Sequence, residues 1–204
     1  FGVQPILAQL KSEALPREVM ESVLRDRFAR WHGISSVLYL IQSVLGAALE
    51  VARDPQGLGI SPRRITISTV GLPAAIDRLA QYATPFHLAI SLHAPNNTLR
   101  NQLVPVNAKI GIDDILSAAD RYFVATGRRL TVEYVLLAGI NDTQQCALEL
   151  VRLLRGRVSM LNVIPYNKVA GLPFETPSSE AIHNFRNFLL EGGINIMFRQ
   201  RKGD

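Results

Sequence analysis

The chain has 204 residues, of which 48% are hydrophobic and 19% are charged, with 22 Lys and Arg against 17 Asp and Glu. This length suits one domain of good size, and this balance excludes disordered and collagen-like chains. Because Cys146 is the single cysteine, the chain alone can form neither an internal disulfide nor a cysteine cage for zinc or iron–sulfur. The basic excess is mostly arginine, which favours phosphate or nucleic-acid contacts, although a codon bias gives the same count.

Residues 1–33 differ from the rest because they are dense in charge and contain only helix-compatible runs. We therefore expect a small helical N-terminal segment at 1–33 and a second region at 34–204. The uncharged run Ile34–Leu49 is shorter than the roughly 20 residues of a membrane span, and its apolar repeat predicts a helix that continues to about Arg53. Since no signal-peptide pattern is visible either, we expect a cytoplasmic protein that does not enter a membrane.

Strand-like and helical segments alternate along the rest of the chain. The predicted strands are Arg64–Thr69, Leu88–Leu92, Leu130–Leu137, Met160–Pro165 and Ile194–Arg199. The predicted helices are Ala74–Tyr82, a short stretch after Pro95, Asp113–Thr126, a helix capped within Asn141–Thr143 that ends at Leu154, and a helix from a cap at Ser178 to Leu190. This alternation predicts right-handed βαβ crossovers and a parallel sheet, either doubly wound or rolled into a barrel.

Polar residues follow three of these strands at their carboxyl ends, where parallel α/β proteins carry their chemistry. The candidate residues are Ser68 with Thr69, Ser91 with Leu92 and His93, and Asn167 after Pro165 and Tyr166. Taken singly, each polar residue has a structural explanation: a hydroxyl bonded to backbone, a structural histidine or a turn asparagine. Their coincidence at one sheet edge favours a site that holds an amino-acid or ribose group by hydrogen bonds.

Several other residues have more than one interpretation. Glu133 lies within a strand, and because a buried carboxylate needs a partner it is either a polar residue of a barrel interior or the partner of an arginine. Cys146 has apolar neighbours in a helix, which predicts a buried, unreactive thiol. Arg199, Arg201 and Lys202 leave the last strand on the side of the polar edge, where they are placed to meet a phosphate backbone.

Four ordered motifs carry a resemblance to a known family. They are PRRITISTVG at Pro62–Gly71, LAISLHAPN at Leu88–Asn96, VEYVLL at Val132–Leu137 and NVIPYN at Asn162–Asn167. Together they closely resemble the radical-SAM adenine-C2 methyltransferases of 23S rRNA, the RlmN type, to which the C8-methylating Cfr enzymes are related. The match that we find runs from about Val44 to Asp204.

The resemblance implies a partial (β/α)6 TIM-like barrel of the radical-SAM type, with its first strands missing from this chain. It implies that S-adenosylmethionine is the cofactor and that it is contacted by Ser68, Ser91, Leu92, His93 and Asn167. The family reaction also uses a [4Fe–4S] cluster, and a cysteine near the C-terminus carries the methyl group to adenine. The implied substrates are 23S rRNA and, in some members, tRNA, and we expect Arg199, Arg201 and Lys202 to contact the RNA of a monomeric protein.

Three features of the family are not found in this sequence: the Cys-x-x-x-Cys-x-x-Cys loop that binds the cluster, the Gly-Glu-Pro motif, and the methyl-accepting cysteine. We therefore assign no catalytic or metal-binding residue and expect an incomplete chain of such an enzyme. The alternative is a non-catalytic RNA-binding relic of the same fold. A barrel enzyme for a phosphorylated metabolite is disfavoured, because no glycine-rich phosphate loop follows any predicted strand.

Overall fold

The structure is a computed structural model, and it describes residues 47–81, 86–104 and 110–199. The chain divides into two compact units, Phe1–Ser61 and Pro62–Asp204. In the first unit, residues 47–53 are helical, so the described end of the helix predicted to reach Arg53 is confirmed. The predicted segment 1–33 and its boundary lie outside the described residues and stay predictions.

Five strands of the second unit form one parallel sheet in chain order. They are β1 (Thr66–Thr69), β2 (His87–Ser91), β3 (Leu130–Leu136), β4 (Ser159–Pro165) and β5 (Ile196–Phe198). A doubly wound sheet reverses its strand order at a switch point, whereas a barrel adds each new strand on the same side. The unbroken order of these strands therefore indicates a barrel rather than a doubly wound sheet. The predicted class, an α/β fold of the partial TIM-like barrel type, is confirmed.

Helices connect the strands. After a short 3-10 turn at Pro62–Arg64 they are α1 (Pro73–Leu79), α2 (Asn97–Leu103), α3 (Ile112–Thr126), α4 (Gln144–Leu154) and α5 (Ser179–Glu191). The Thr143 hydroxyl accepts a hydrogen bond from the first turn of α4, and the Ser178 hydroxyl does the same at α5, so both predicted caps are confirmed. Among the described residues, no helix is long and apolar enough to cross a membrane.

The two faces of the sheet differ in what covers them. Successive strand side chains point to opposite faces, and along β3 they alternate between buried and half-buried. Val132 and Tyr134 are fully buried in one apolar cluster with residues of α1, α3, α4 and α5. Cys146 of α4 is buried in that cluster, as predicted. Since the helices cover this face, the opposite face, which carries Glu133, is the interior of the partial barrel.

The turn from β1 to α1 depends on a glycine. Gly71 has φ +93°, and a Cβ there would lie 2.6 Å from Cγ2 of Ile115 in α3. Its backbone N–H donates to the Thr69 hydroxyl at 3.1 Å. Thr69 therefore shapes this turn at the carboxyl end of β1, immediately beside Ser68.

Candidate functional site

The interior face carries polar side chains on adjacent strands. The strand register places Ser91 of β2 beside Glu133 of β3, and Glu133 beside Asn162 of β4. Residues at paired positions of neighbouring strands share one face of the sheet. Each of these three residues is half-buried, so the interior has a polar floor where β2 ends and at the middle of β3 and β4.

Glu133 joins the two predicted serines. Its Oε2 atom accepts a hydrogen bond of 3.1 Å from the Ser68 hydroxyl and one of 3.3 Å from the Ser91 hydroxyl. Of the two interpretations left open for Glu133, the structure therefore favours the polar barrel-interior residue. The contact also shows that Ser68 and Ser91 lie together, as their positions at strand ends predict.

Asn162 adds an unsatisfied acceptor to this floor. Its Oδ1 atom is buried and has no hydrogen-bond partner within the described residues. Buried polar atoms nearly always have a partner, so an orphaned one marks a place where a ligand or a water is expected. The signal in the sequence was a lone amide between the apolar residues of β4, but it was not used in the prediction.

His93 has an unusual backbone conformation directly after β2. Its φ of 59° lies in the left-handed region, which histidine adopts more readily than most residues but still uncommonly. The backbone N–H groups of Leu92 and His93 donate to the Glu133 carbonyl at 3.0 and 3.3 Å. The predicted segment Ser91 to His93 is thus bound to β3 through both the side chain and the backbone of Glu133.

The imidazole of His93 has a defined protonation state. Its Nδ1 atom accepts a hydrogen bond from the Val135 backbone N–H at 3.2 Å, so the neutral ring carries its hydrogen on Nε2. Burial lowers the pKa of His93, the Glu133 carboxylate partly opposes this, and Arg100 lowers the pKa further. At neutral pH the His93 ring therefore carries one N–H donor, at Nε2.

Arg100 of α2 was not predicted, and it holds the ends of β1 and β2. Its side chain is fully buried, with Nε 3.0 Å from the Leu92 carbonyl oxygen and Nη2 2.6 and 3.2 Å from those of Val70 and Ser91. Burial lowers the pKa of this guanidinium. One side chain thus fixes the backbone on which Ser91 and His93 are placed.

Asn141 performs a similar task between β3 and the loop after β2. It is fully buried, and its Oδ1 accepts from the Leu137 N–H at 2.6 Å. Its Nδ2 donates to the carbonyls of His93 and Val135 at 2.9 and 2.8 Å. The sequence indicated only a helix cap in this region, which Thr143 provides.

The remaining predicted residues are more peripheral. Asn167 is exposed in the loop after β4, at the same edge of the sheet, but within the described residues it is not part of the hydrogen-bonded group around Glu133. Leu92 is buried in the apolar cluster, and its backbone N–H and carbonyl are bonded to Glu133 and Arg100. Arg199 is exposed, and its N–H extends the β4–β5 ladder at 3.0 Å from the Val163 carbonyl oxygen. The predicted RNA contacts Arg201 and Lys202 lie outside the described residues.

The chain does not contain the residues needed to hold an iron–sulfur cluster. Cys146 is its single cysteine and is buried in α4. Within the described part, no group of three or more His, Cys, Asp or Glu could bind a metal ion. A [4Fe–4S] cluster takes several thiolates, so these residues do not fit one.

Comparisons with known proteins support a single family, although no protein-family model matches the chain. It is 63% identical over 172 residues to a Rhodopirellula baltica protein named "Probable dual-specificity RNA methyltransferase RlmN", covering 84% of this chain and 46% of that protein. It is 44% identical over 156 residues to the "Ribosomal RNA large subunit methyltransferase N" of Nitrosopumilus maritimus, covering 76% of this chain and 44% of that protein. The resemblance to the RlmN family is confirmed.

The RlmN match reaches most of this chain but only part of each relative. A Moorella thermoacetica protein with the same name as the Rhodopirellula protein is 38% identical over 196 residues, which is 95% of this chain and 55% of that protein. The match therefore extends into residues before Val44, where the motifs alone show no resemblance. The chain spans about half the length of the curated relatives it matches.

Two solved structures agree with the fold. A radical SAM methyltransferase from Sphaerobacter thermophilus superposes with a TM-score of 0.73 at 44% identity, covering 76% of this chain and 46% of that one. A domain of pyruvate-formate lyase-activating enzyme from Bacteroides vulgatus gives 0.53 at 16% identity, covering 66% of this chain and 80% of that domain. The second likeness concerns the fold alone.

Proposed function

We propose that this chain supplies the S-adenosylmethionine-binding part of a radical-SAM RNA methyltransferase that modifies adenine C2 of 23S rRNA, and tRNA as well. The observation that carries the proposal is the group formed by Ser68, Ser91 and Glu133 at the carboxyl edge of the sheet. It lies in a chain that is 63% identical to a protein named as an RNA methyltransferase. The relatives' names supply the reaction class, and the site supplies a place for the cofactor.

The residues proposed to hold the cofactor are Ser68, Ser91, Leu92, His93 and Asn167. Their chemistry suits S-adenosylmethionine, whose ammonium, adenine amino group and ribose hydroxyls are donors. The serine oxygens and the orphaned Asn162 Oδ1 are acceptors for such groups, whereas His93 offers a donor at Nε2. When bound, S-adenosylmethionine supplies the methyl group, and this chain's residues bind and orient it.

The reductive part of the reaction is not assigned to residues of this chain. A radical-SAM reaction needs an electron from an iron–sulfur cluster, and the chain has one cysteine, which is buried. We therefore propose cofactor binding for this chain and derive no step through a cluster.

The proposed RNA contact lies at the end of β5. Arg199 is exposed there, and Arg201 and Lys202 follow it in the sequence. Guanidinium groups bind phosphate oxygens in pairs, and phosphate contacts give affinity without sequence specificity. A net charge of +5 agrees with such a partner. A cytoplasmic, monomeric protein remains our expectation.

Calorimetric titration of the 204-residue chain with S-adenosylmethionine tests the cofactor site. We expect binding by the wild type and, because each variant removes one polar contact, roughly tenfold weaker binding by His93→Ala and Asn167→Ala. His183→Ala, on the exposed side of α5, is the matched control and should bind as the wild type does. No binding by the wild type would refute the proposed function, and unchanged binding by both site variants would refute the site.

A chimera tests the reaction and its alternative. Residues 47–199 replace only the residues that align with them in the Rhodopirellula relative, so that the rest of that enzyme is present. We expect mass spectrometry to detect methylation at adenine C2 of 23S rRNA in cells that lack their own enzyme. The relic interpretation predicts instead that the 204-residue chain binds RNA but not S-adenosylmethionine, and that the chimera leaves the adenine unmodified.

A further inference from the structure

We propose that Glu133 makes this pocket select a positively charged cofactor, by fixing the hydroxyl hydrogens of Ser68 and Ser91 and by providing a carboxylate charge. The inference deepens the proposed function and rests on it. Glu133 is a positioning and specificity-determining residue here, because it acts partly through the two serines. Although Glu133 lies within the motif at Val132–Leu137, the family resemblance does not imply that it contacts the cofactor.

The first step of the argument concerns the serine hydrogens. Each hydroxyl has one hydrogen, and both hydroxyls donate to the same Glu133 Oε2 atom. The serine oxygens therefore present only lone pairs to a ligand. With the orphaned Oδ1 of Asn162, strands β1, β2 and β4 all present acceptors around Glu133. Such a floor suits a ligand rich in N–H and O–H donors.

The second step concerns charge. The ion pairs of the described residues join Glu50 with Arg53, Asp77 with Arg121, Asp120 with Arg157, and Lys168 with Glu175. Glu133 is not among them, and within the described part of the chain its carboxylate accepts hydrogen bonds from the Ser68 and Ser91 hydroxyls. A half-buried carboxylate that has only hydroxyl donors keeps a negative potential, which a cationic ligand would neutralise.

These two steps predict discrimination between two ligands of nearly the same shape. S-adenosylmethionine has a sulfonium, whereas S-adenosylhomocysteine has a neutral thioether and lacks the methyl group. Both offer the same ammonium, ribose and adenine donors to the serine oxygens. The positioning of the serines therefore serves both ligands, and the charge of Glu133 favours the sulfonium.

Titration calorimetry of the 204-residue chain with both ligands tests the proposal. Glu133→Gln keeps an oxygen that can accept from both serines but removes the charge, so we expect about tenfold weaker binding of S-adenosylmethionine. Binding of S-adenosylhomocysteine, which has the ammonium but not the sulfonium, should be weakened less, so the ratio of the two affinities should fall. Glu133→Ala removes acceptor and charge, so both ligands should bind more weakly. Glu180→Gln, the same change at an exposed position of α5, should leave both affinities unchanged.

The outcomes separate the two proposals. If the wild type binds neither ligand, the proposed function fails and this inference fails with it. If the wild type binds both but Glu133→Gln keeps its ratio of affinities, only the charge-selection role is overturned. Should circular dichroism show that Glu133→Gln does not fold, salt dependence in the wild type decides. Screening by salt should weaken the binding of S-adenosylmethionine more than that of S-adenosylhomocysteine, and equal dependence would overturn the inference.

Discussion

The two faces of the sheet make different kinds of contact, apolar on one face and polar on the other, although alternate residues of the same strands form them. On the helix side, β3 presents Val132 and Tyr134 to a fully buried apolar cluster. On the interior side, the same strand presents Glu133 to two serines. The helix side is close-packed and stabilises the fold, whereas the interior side is half-buried and leaves polar atoms for a ligand.

The polar edge of the sheet has its own buried supports, which the apolar face does not need. Arg100 and Asn141 are both fully buried, and their hydrogen bonds go mainly to backbone atoms at strand ends and in loops. Irregular backbone cannot satisfy its own carbonyls as a strand does, so side chains must donate to them. Polar contacts of buried side chains therefore hold the backbone of the site, whereas apolar packing stabilises the rest of the fold.

Removing Arg100 should have the largest effect on stability. Arg100→Met leaves the carbonyls of Val70, Ser91 and Leu92 without this donor in a buried place. We expect a loss of about 3–4 kcal/mol in the free energy of unfolding, measured by urea denaturation. Arg100→Lys keeps the charge but lacks the fork that reaches several carbonyls, so it should restore only a minor part. A loss below about 1 kcal/mol for Arg100→Met would contradict the structural role.

Truncating one valine on each face compares the two faces of β3 directly. Val132 is fully buried against the helices, and Val135 is half-buried on the interior side. Val132→Ala should cost about 2–3 kcal/mol because it leaves a cavity, whereas Val135→Ala should cost about 1 kcal/mol or less. Thermal and urea unfolding of both variants measure the difference. Equal losses would mean that the interior face is packed as densely as the core.

The apolar face could be predicted from the sequence and the buried polar supports could not. Periodicity of two in strands and caps such as Ser178 are local signals, so element positions and the carboxyl-edge residues Ser68 and Ser91 followed from them. Arg100 meets Val70 across 30 residues, and Asn141 meets His93 across 48. A single sequence carries no signal for such pairings, because an arginine in a short helix normally faces solvent.

Strand ends were predicted less well than strand positions. The first strand was expected from Arg64, but Pro62–Arg64 forms a 3-10 turn and β1 begins at Thr66. The last strand was expected over Ile194–Arg199 and is Ile196–Phe198. Apolar residues such as Ile194 extend the pattern beyond the ladder because they pack in the core without pairing. Periodicity therefore marks burial rather than hydrogen bonding.

Gly71 lies in the turn between β1 and α1, where its backbone packs against Ile115 of α3. This turn therefore joins the polar carboxyl end of β1 to the apolar helix side of the sheet. Gly71→Ala places a Cβ within 2.6 Å of Ile115 and in a left-handed conformation at φ +93°. We expect a loss of about 1–3 kcal/mol from backbone strain and this contact, measured by thermal unfolding. Gly127→Ala, also left-handed at φ +66° but with open space around the added Cβ, is the matched control and should cost less. Equal losses would assign the whole effect to backbone conformation.

Protonation of His93 at the polar edge should have the smallest effect on stability of these four predicted changes. It should appear in the pH dependence of the free energy of unfolding. Burial lowers the pKa of His93 below its ordinary 6.5, so the unfolded chain binds this proton more readily than the folded chain. The contribution of His93 to stability is complete above pH 6.5 and is lost as pH falls through the folded value. His93→Gln keeps a polar group near the Val135 N–H but cannot titrate.

The measurement is the difference in unfolding free energy between wild type and His93→Gln across pH. Groups common to both proteins cancel in this difference. The unfolding free energy of the wild type minus that of the variant should therefore be constant above pH 6.5 and should decrease at lower pH, because only the wild type loses the contribution of a neutral His93. A flat difference for His93→Gln at every pH would mean that the ring titrates alike in both states. That result would remove the argument that a neutral His93 offers its Nε2 hydrogen to the ligand.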